Sequence, residues 1–507
     1  MKLNKVFSRR DFLKLSAMTS LSYAIKPLAN VLGIHGEKPL PNVIILVFDA
    51  WSAEHVSFMG YQRDTMPMLS RFAERSTVYH NHYSAGTYTV PGTASLLTGL
   101  HPWSHRALHL GAISRRHSNH HIFSTLKPEY ITVGYSQNKY ADQFLYQAGK
   151  YLDKHIWTSA FDIQKETIYP LFGNDANVAL ASFEGNLTQK MKGKDASLFL
   201  GPLFRAGALY DRHLLDLIYR DDYPRGMPDA GEFFLFSDVV DGAIKSLSNL
   251  NGGTLAYFHF IPPHDPYRPT RKFHNKFRND GLKFDVKNIH PLSQVEYEEG
   301  LILKQRRIYD EYMASWDDAV SRLFDYLDAS GLLDNSYVIV TSDHGEFFER
   351  GEVGHFTYMI YESVIHVPLL IHSPKQISRA DVHANTSSVD MLPTLASLVD
   401  SNTPDWAEGS SLPRLDGVAK SSRSVFTVDG KLNSVFAPLE KYSISITRDR
   451  HRLTSYKLPD FEGFEFYDLD DDPDEINNLY SMRPSIAVDM QHELLDKLAD
   501  ANRWFYR

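Results

Sequence analysis

Three stretches of this chain are too apolar for an exposed strand and too short for a core helix: Asn42–Phe48 (NVIILVF), Thr254–Phe260 (TLAYFHF) and Tyr337–Thr341 (YVIVT). Continuous apolar runs of this length predict strands covered on both faces, the pattern of a mostly parallel sheet between layers of helices. Such sheets bind ligands beyond the carboxyl ends of their strands. Each of these runs ends in polar chemistry. Asp49 follows the first, and Asp343, His344 and Gly345 follow the third. The second leads into Ile261-Pro262-Pro263-His264-Asp265-Pro266, where prolines hold His264 near the same edge. Carboxylates and an imidazole gathered there suit a divalent cation. Taken singly, each has a plainer reading: Asp49 and the Asp343-His344 pair as turn residues, His264 as a structural hydrogen-bonder.

The rest of the chain supports an α/β layout. Tyr130–Tyr135 and Val364–Ile371 read as further strands, Met66–Arg75, Val239–Leu247, residues 300–330 and Val389–Val399 as helices. Asn138 and Lys139 stand just beyond the first of these strands. In Ser84–Gly99 (SAGTYTVPGTASLLTG) a helix starts near Pro91, and Thr89 fits its N-cap. The same placement puts the Thr89 hydroxyl where free N–H groups favour an anion, and beside a cation it could become a nucleophile. Residues 140–250 carry helical patterns but no motif. Residues 401–425 are rich in Ser, Pro and Gly and read as a connection between a catalytic domain, 42–400, and a C-terminal unit, 426–507. That unit shows alternating strands over 426–468 and an amphipathic helix over 485–500. There are no internal repeats.

Composition narrows the function classes. A net charge of −9 gives no general attraction to nucleic acid or acidic lipid. The absence of cysteine excludes disulfides, thiolate metal sites and any cofactor made by oxidising a cysteine. No apolar run is long enough to span a membrane. Residues 1–29 read as a targeting segment, because Ser8-Arg9-Arg10-Asp11-Phe12-Leu13-Lys14 resembles the twin-arginine export motif and precedes a modest apolar stretch. Cleavage after Ala24 and after Ala29 both fit, and residues 30–41 read as a linker. A basic amphipathic helix is the plainer alternative. Export implies a periplasmic or extracytoplasmic protein, carried out folded by the twin-arginine machinery.

Seven pieces in one order carry a family: NVIILVFDA, PGTASLLTG, PPHDPY, LLDNSYVIVTSDHGE, YESVIHVPLLI, VDMLPTL and FYDLDDDPDEINNL. With them the chain resembles the sulfatases, of the alkaline phosphatase superfamily, over nearly everything after residue 41. The resemblance implies a mixed central sheet between helices, a small α+β C-terminal subdomain and a metal-dependent ester-cleaving site. Carried over by position, Asp49 is the first metal aspartate, Asp343 and His344 the second metal pair, and Thr89 the nucleophile. His264 contacts the substrate's anionic group, Asn138 and Lys139 lie near a post-strand lysine, and His355 is a further anion contact. The departures are chemical. Sulfatases oxidise a Cys or Ser at the nucleophile position to formylglycine, with an Arg four residues on. Here Thr89 and Thr93 stand in those places, and Ala50 replaces the second N-terminal aspartate, so no formylglycine is expected.

These readings combine into one divalent cation on Asp49, Thr89, Asp343 and His344, with Zn²⁺ or Mn²⁺ suiting the donors better than Ca²⁺ or Mg²⁺. The function expected is hydrolysis or transfer of a phosphate ester or diester through Thr89, on a small-molecule, lipid or glycan substrate. The alternatives are an atypical sulfatase without formylglycine and a non-catalytic binding protein on the same fold. Oligomeric state stays open.

Overall fold

The computed structural model describes residues 40–163 and 200–505, apart from 115, 116, 128, 230–232, 249, 251, 286, 420, 421 and 504. The targeting segment and most of the linker, residues 1–39, lie outside the described residues. Eight strands form the main sheet: β1 (Asn42–Phe48), β2 (Thr77–Tyr79), β3 (Ile131–Ser136), β4 (Lys154–Ile156), β5 (Thr254–Phe260), β6 (Ser336–Thr341), β7 (Leu369–His372) and β8 (Ala380–Val382). Their spatial order is β8-β2-β7-β6-β1-β5-β3-β4. β1 runs parallel to both neighbours, with Val47 level with His259 and Thr341. Only β7 runs antiparallel to its neighbours.

The apolar runs are buried on both faces because alternation sends their side chains into two separate cores. Ile44, Leu46 and Phe48 face one core with Phe258, Phe260, Val338 and Val340. Val43, Ile45 and Val47 face the other with Leu255, Tyr257 and Ile339. The first core is covered by α4 (Phe236–Leu247) and α5 (Glu299–Ala329). The second is covered by α2 (Thr89–Thr98), α3 (Lys139–Gln147) and α6 (Met391–Leu398). α1 (Pro67–Ala73) adds Met68, Leu69 and Phe72 to the first core, and α7 (Ser485–Arg503) belongs to the C-terminal unit. This is a helix-flanked α/β fold of the kind the resemblance implies, with four antiparallel strands, β9 (Val425–Asp429), β10 (Tyr442–Arg448), β11 (His451–Leu458) and β12 (Phe461–Asp468), forming the C-terminal subdomain sheet under α7.

One expected strand is corrected. Val364–Ile371 is not a single strand: Glu362–Ile365 is a short helical turn, His366 bridges to Tyr83, and pairing into the main sheet begins only at Leu369. Pro368 lacks an N–H, and Val364 and Ile365 are claimed by a different apolar cluster with Tyr361 and Tyr467. Among the described residues, no helix is long and apolar enough to cross a membrane.

Candidate metal-assisted ester-cleavage site

Four strand ends converge. Asp49 follows β1, Asp343 and His344 follow β6, Asn138 follows β3, and His264 follows β5. Thr89 arrives on α2. It is the first residue of the helix, with Tyr88 as the N-cap, so its side chain is not spent on capping. The N-cap reading of Thr89 is thereby overturned. Gly92 sets how closely this helix approaches: a Cβ there would lie 2.2 Å from the Asp343 carbonyl oxygen. Only a residue without a side chain lets the Thr89 turn sit directly on the Asp343 turn.

Asp49, Asp343 and His344 are fully buried, and each offers a ligand atom within 4.8 Å of the others. His344 Nδ1 donates to the Gly345 carbonyl at 2.8 Å, which leaves its Nε2 lone pair facing the cluster. That Nε2 lies 3.3 Å from the Thr89 hydroxyl and 3.3 Å from Asp49 Oδ1. Asp49 Oδ2 accepts from Asn138 Nδ2 at 2.6 Å and lies 3.1 Å from His259 Nε2. Asp49 Oδ1 is buried with no hydrogen-bond partner. A buried carboxylate oxygen with no donor costs free energy that a cation would recover. The donors present, two carboxylates, an imidazole and a hydroxyl, therefore fit a divalent metal.

With no cation present, the histidines carry the charge that offsets the two carboxylates. Burial alone would raise Asp49, yet the His264 charge, the hydrogen bond from His259 and the adjacent His344 ring hold it well below the usual carboxylate range. Burial and the adjacent Asp49 charge push Asp343 up. Burial would lower His344, but Asp343 and Asp49 carry it up to about 9. Beside this trio, burial and the Asp265 charge push Glu346 up to about 8.

The sequence-predicted residues fall together unevenly. Asn138 has two tasks: its side chain caps α3 by accepting from Tyr140 N at 2.8 Å, and its amide also reaches Thr89 Oγ1 at 3.3 Å. Thr93, in the position of the family's arginine, donates to Asp343 Oδ2 at 3.3 Å. Thr89, Asn138, Lys139, His264 and His355 line one cleft of about 410 Å³. His259 was missed. It sits in the apolar run TLAYFHF on the face of Tyr257, whose hydroxyl lies 3.0 Å from its Nδ1. A lone histidine inside a strand buried on both faces was the available signal. Glu346 was also missed, although it closes the YVIVTSDHGE stretch; its carboxylate lies 3.2 Å from His355 Nδ1.

With this geometry in hand, comparison with known proteins is decisive for the family. The chain matches the sulfatase family profile over residues 41–401. It belongs to the sulfatase family. It is a sulfatase-like hydrolase acting on ester bonds. Residues 351–503 match the profile of the N-sulphoglucosamine sulphohydrolase C-terminal region. Similar proteins include the multifunctional alkaline phosphatase superfamily protein PehA of Trinickia caryophylli, 24% identical over 86% of this chain and 91% of that protein. The choline-sulfatase of Rhizobium meliloti is 24% identical over 87% of this chain and 82% of its own length. Among solved structures, the phosphonate monoester hydrolase from Silicibacter pomeroyi superposes with a TM-score of 0.63 at 17% identity, over 92% of this chain and 96% of that one. Sulfatase-family members bind a divalent metal, and Asp49, Asp343 and His344 can supply such a site here.

Proposed function

We propose that this hydrolase cleaves a phosphate ester or diester, with Thr89 as the nucleophile. The carrying observation is a threonine at the nucleophile position, its hydroxyl 3.3 Å from both His344 Nε2 and Asn138 Nδ2, in a chain without cysteine. A formylglycine hydrate releases sulfate by collapsing to an aldehyde; a threonine has no second hydroxyl and cannot. A group carried on Thr89 must leave by attack of water or an acceptor, as in phosphoryl transfer.

Asp49, Asp343, His344 and Thr89 would hold the divalent cation. When bound, it lowers the pKa of the hydroxyl and polarises the ester oxygen. The chain's own residues do the rest. Asn138 orients both Asp49 and Thr89 through one amide. The Thr89 oxygen, its hydroxyl proton first released to solvent, attacks phosphorus in line with the departing oxygen, and the P–O bond to the leaving group breaks. Lys139, His264 and His355 line the wall where the non-bridging oxygens sit, and His264 is placed to give the leaving oxygen its proton. Water then gives a proton to His264 and attacks the phosphorus, the bond from phosphorus to the Thr89 oxygen breaks, and that oxygen regains a proton. A second reading, sulfate-ester cleavage without formylglycine, is favoured by the relatives named for sulfatase activity. We assign the chain to the periplasm on the twin-arginine motif of Ser8–Lys14; export unaffected by changing Arg9 and Arg10 to Lys would contradict this.

The test is turnover of an aryl phosphodiester, an aryl phosphate monoester and an aryl sulfate by metal-loaded protein. Phosphodiester turnover that falls at least about 10³-fold in Thr89→Ala supports the reading. Sulfate turnover alone, dependent on Thr89, overturns it in favour of the second.

A further inference from the structure

We infer that the leaving portion of the substrate carries a second acidic group, a carboxylate, sulfate or phosphate, and that Arg225 and Arg268 bind it. The place is a cavity of about 670 Å³ that opens off the catalytic cleft. Cavity and cleft share His264, Asp265, Pro266, His355 and Phe356, and Thr89 borders the cleft alone. A group that departs past His264, the proton donor of the proposed mechanism, therefore has this cavity to enter. One wall is a hairpin, Phe347–Glu349 with Glu352–Gly354, that follows the Asp343-His344 turn.

Folding delivers the two arginines to one place. Arg268 rides on the same proline-stiffened loop as His264, between Pro266 and Pro269. Arg225 stands in the turn that Gly226 closes by donating its N–H to the Tyr223 carbonyl at 3.0 Å. The loop grips that turn. The Arg271 N–H donates to the Asp222 carbonyl at 2.7 Å, Arg271 Nη2 donates to the Arg220 carbonyl at 3.0 Å, and Arg268 Nη1 donates to the carbonyl of Arg225 itself. The pair is thus held in register with the proton donor rather than scattered on the surface.

Protein acids do not neutralise this pair. Arg225 and Arg268 each have a buried Nε with no hydrogen-bond partner, and neither guanidinium forms an ion pair among the described residues. The acids nearby are engaged elsewhere. Asp265 Oδ1 lies 3.2 Å from His264 Nδ1, the Glu352 carboxylate accepts from the Gln294 N–H, and Glu311 Oε1 lies 3.5 Å from Arg307 Nε. Burial and the Arg307 and Arg268 charges push Arg225 down, against the pull of Glu311. Lys304, exposed at the same cavity, adds a further cation. Half-buried like charges without acids of their own cost free energy that an anion recovers, and a guanidinium fork meets a carboxylate, sulfate or phosphate with two parallel hydrogen bonds. Tyr297, Ile308 and Phe356 give the body between the two anionic ends an apolar surface. The inference rests on the proposed function only for which end of the substrate reacts; its test reads binding of a leaving-group analogue, not turnover.

Metal-loaded full chain is titrated with 7-hydroxycoumarin-4-acetate and with 4-methylumbelliferone, phenols of one shape that differ by a carboxylate, and binding is read by fluorescence anisotropy. The wild type should hold the carboxylate at least about tenfold more tightly, and Arg225→Gln and Arg268→Gln should each bring the two affinities to within a factor of about 3. The Arg225 side chain makes no hydrogen bond among the described residues, so its variant reports on the cavity without endangering the fold. Equal affinities in the wild type, no binding of the carboxylate at millimolar concentration, or a preference that either variant keeps overturns the proposal. A preference lost in both variants, in a chain whose ester turnover ignores Thr89, would sink the nucleophile and leave this site standing; equal affinities with Thr89-dependent turnover would do the reverse.

Discussion

Two fully buried charge clusters in this protein differ in what neutralises them. Behind the C-terminal sheet, Arg452 donates to Glu475 at 3.0 Å, to Thr447 at 3.2 Å and also to Glu362. Glu475 in turn accepts from the Glu362 backbone N–H at 2.8 Å. Every partner is protein, and the cluster is complete. At the edge of the main sheet, Asp49 and Asp343 stand together with one carboxylate oxygen orphaned, and the available donors are imidazoles, amides and the Thr93 hydroxyl. The first cluster is finished by folding. The second is finished by something folding does not supply. That contrast separates a structural ion network from a binding site without reference to conservation.

The sharpest way to break the contrast is to damage the complete cluster. Arg452→Met leaves two buried carboxylates facing each other and should cost about 3–5 kcal/mol of stability, read by urea unfolding. A loss under about 1 kcal/mol would mean that water reaches the cluster and the comparison fails. Next comes removal of metal. Chelation should lower the wild-type melting temperature, by the equivalent of about 3–4 kcal/mol where free metal had stood at 100–1,000 times its Kd. Asp343→Asn sharpens this further. In the chelated state it should be as stable as wild type or up to about 1 kcal/mol more so, because it removes a like charge, yet gain nothing when metal is returned.

The smallest effect concerns a half-buried pair. Burial would raise Glu408, but His101 and Ser104 hold it down to about 2 against its ordinary 4.5. A folded value below the unfolded one stabilises fully above pH 4.5, and the contribution is lost as pH falls toward about 2. Glu408→Gln should therefore remove about 1 kcal/mol at neutral pH and flatten acid unfolding over that window.

How much was legible follows from the same physics. Thr254–Phe260 could be bounded to the residue because both faces are buried and nothing but a strand of that length satisfies it. Asp49, Asp343, His344 and His264 could be read because each follows such a run. The turn at Val364 could not, since an apolar stretch does not say which of two cores it enters. His259 and Glu346 were hidden for a related reason: their roles depend on a neighbour far away in sequence, Asp49 at a separation of 210 in one case, and on a hairpin in the other. Thr89 was placed at the right helix end but one position off, because Tyr88 caps through its backbone and leaves no side-chain signature.

The central claim is that Thr89 takes the transferred group. Metal-loaded protein mixed with an aryl phosphodiester, quenched in acid within the first turnovers and digested, tests it directly by peptide mass. The account predicts a phosphoryl adduct on the peptide containing Thr89, absent from Thr89→Ala. Rapid turnover with no adduct at any time, undiminished in Thr89→Ala, would contradict it.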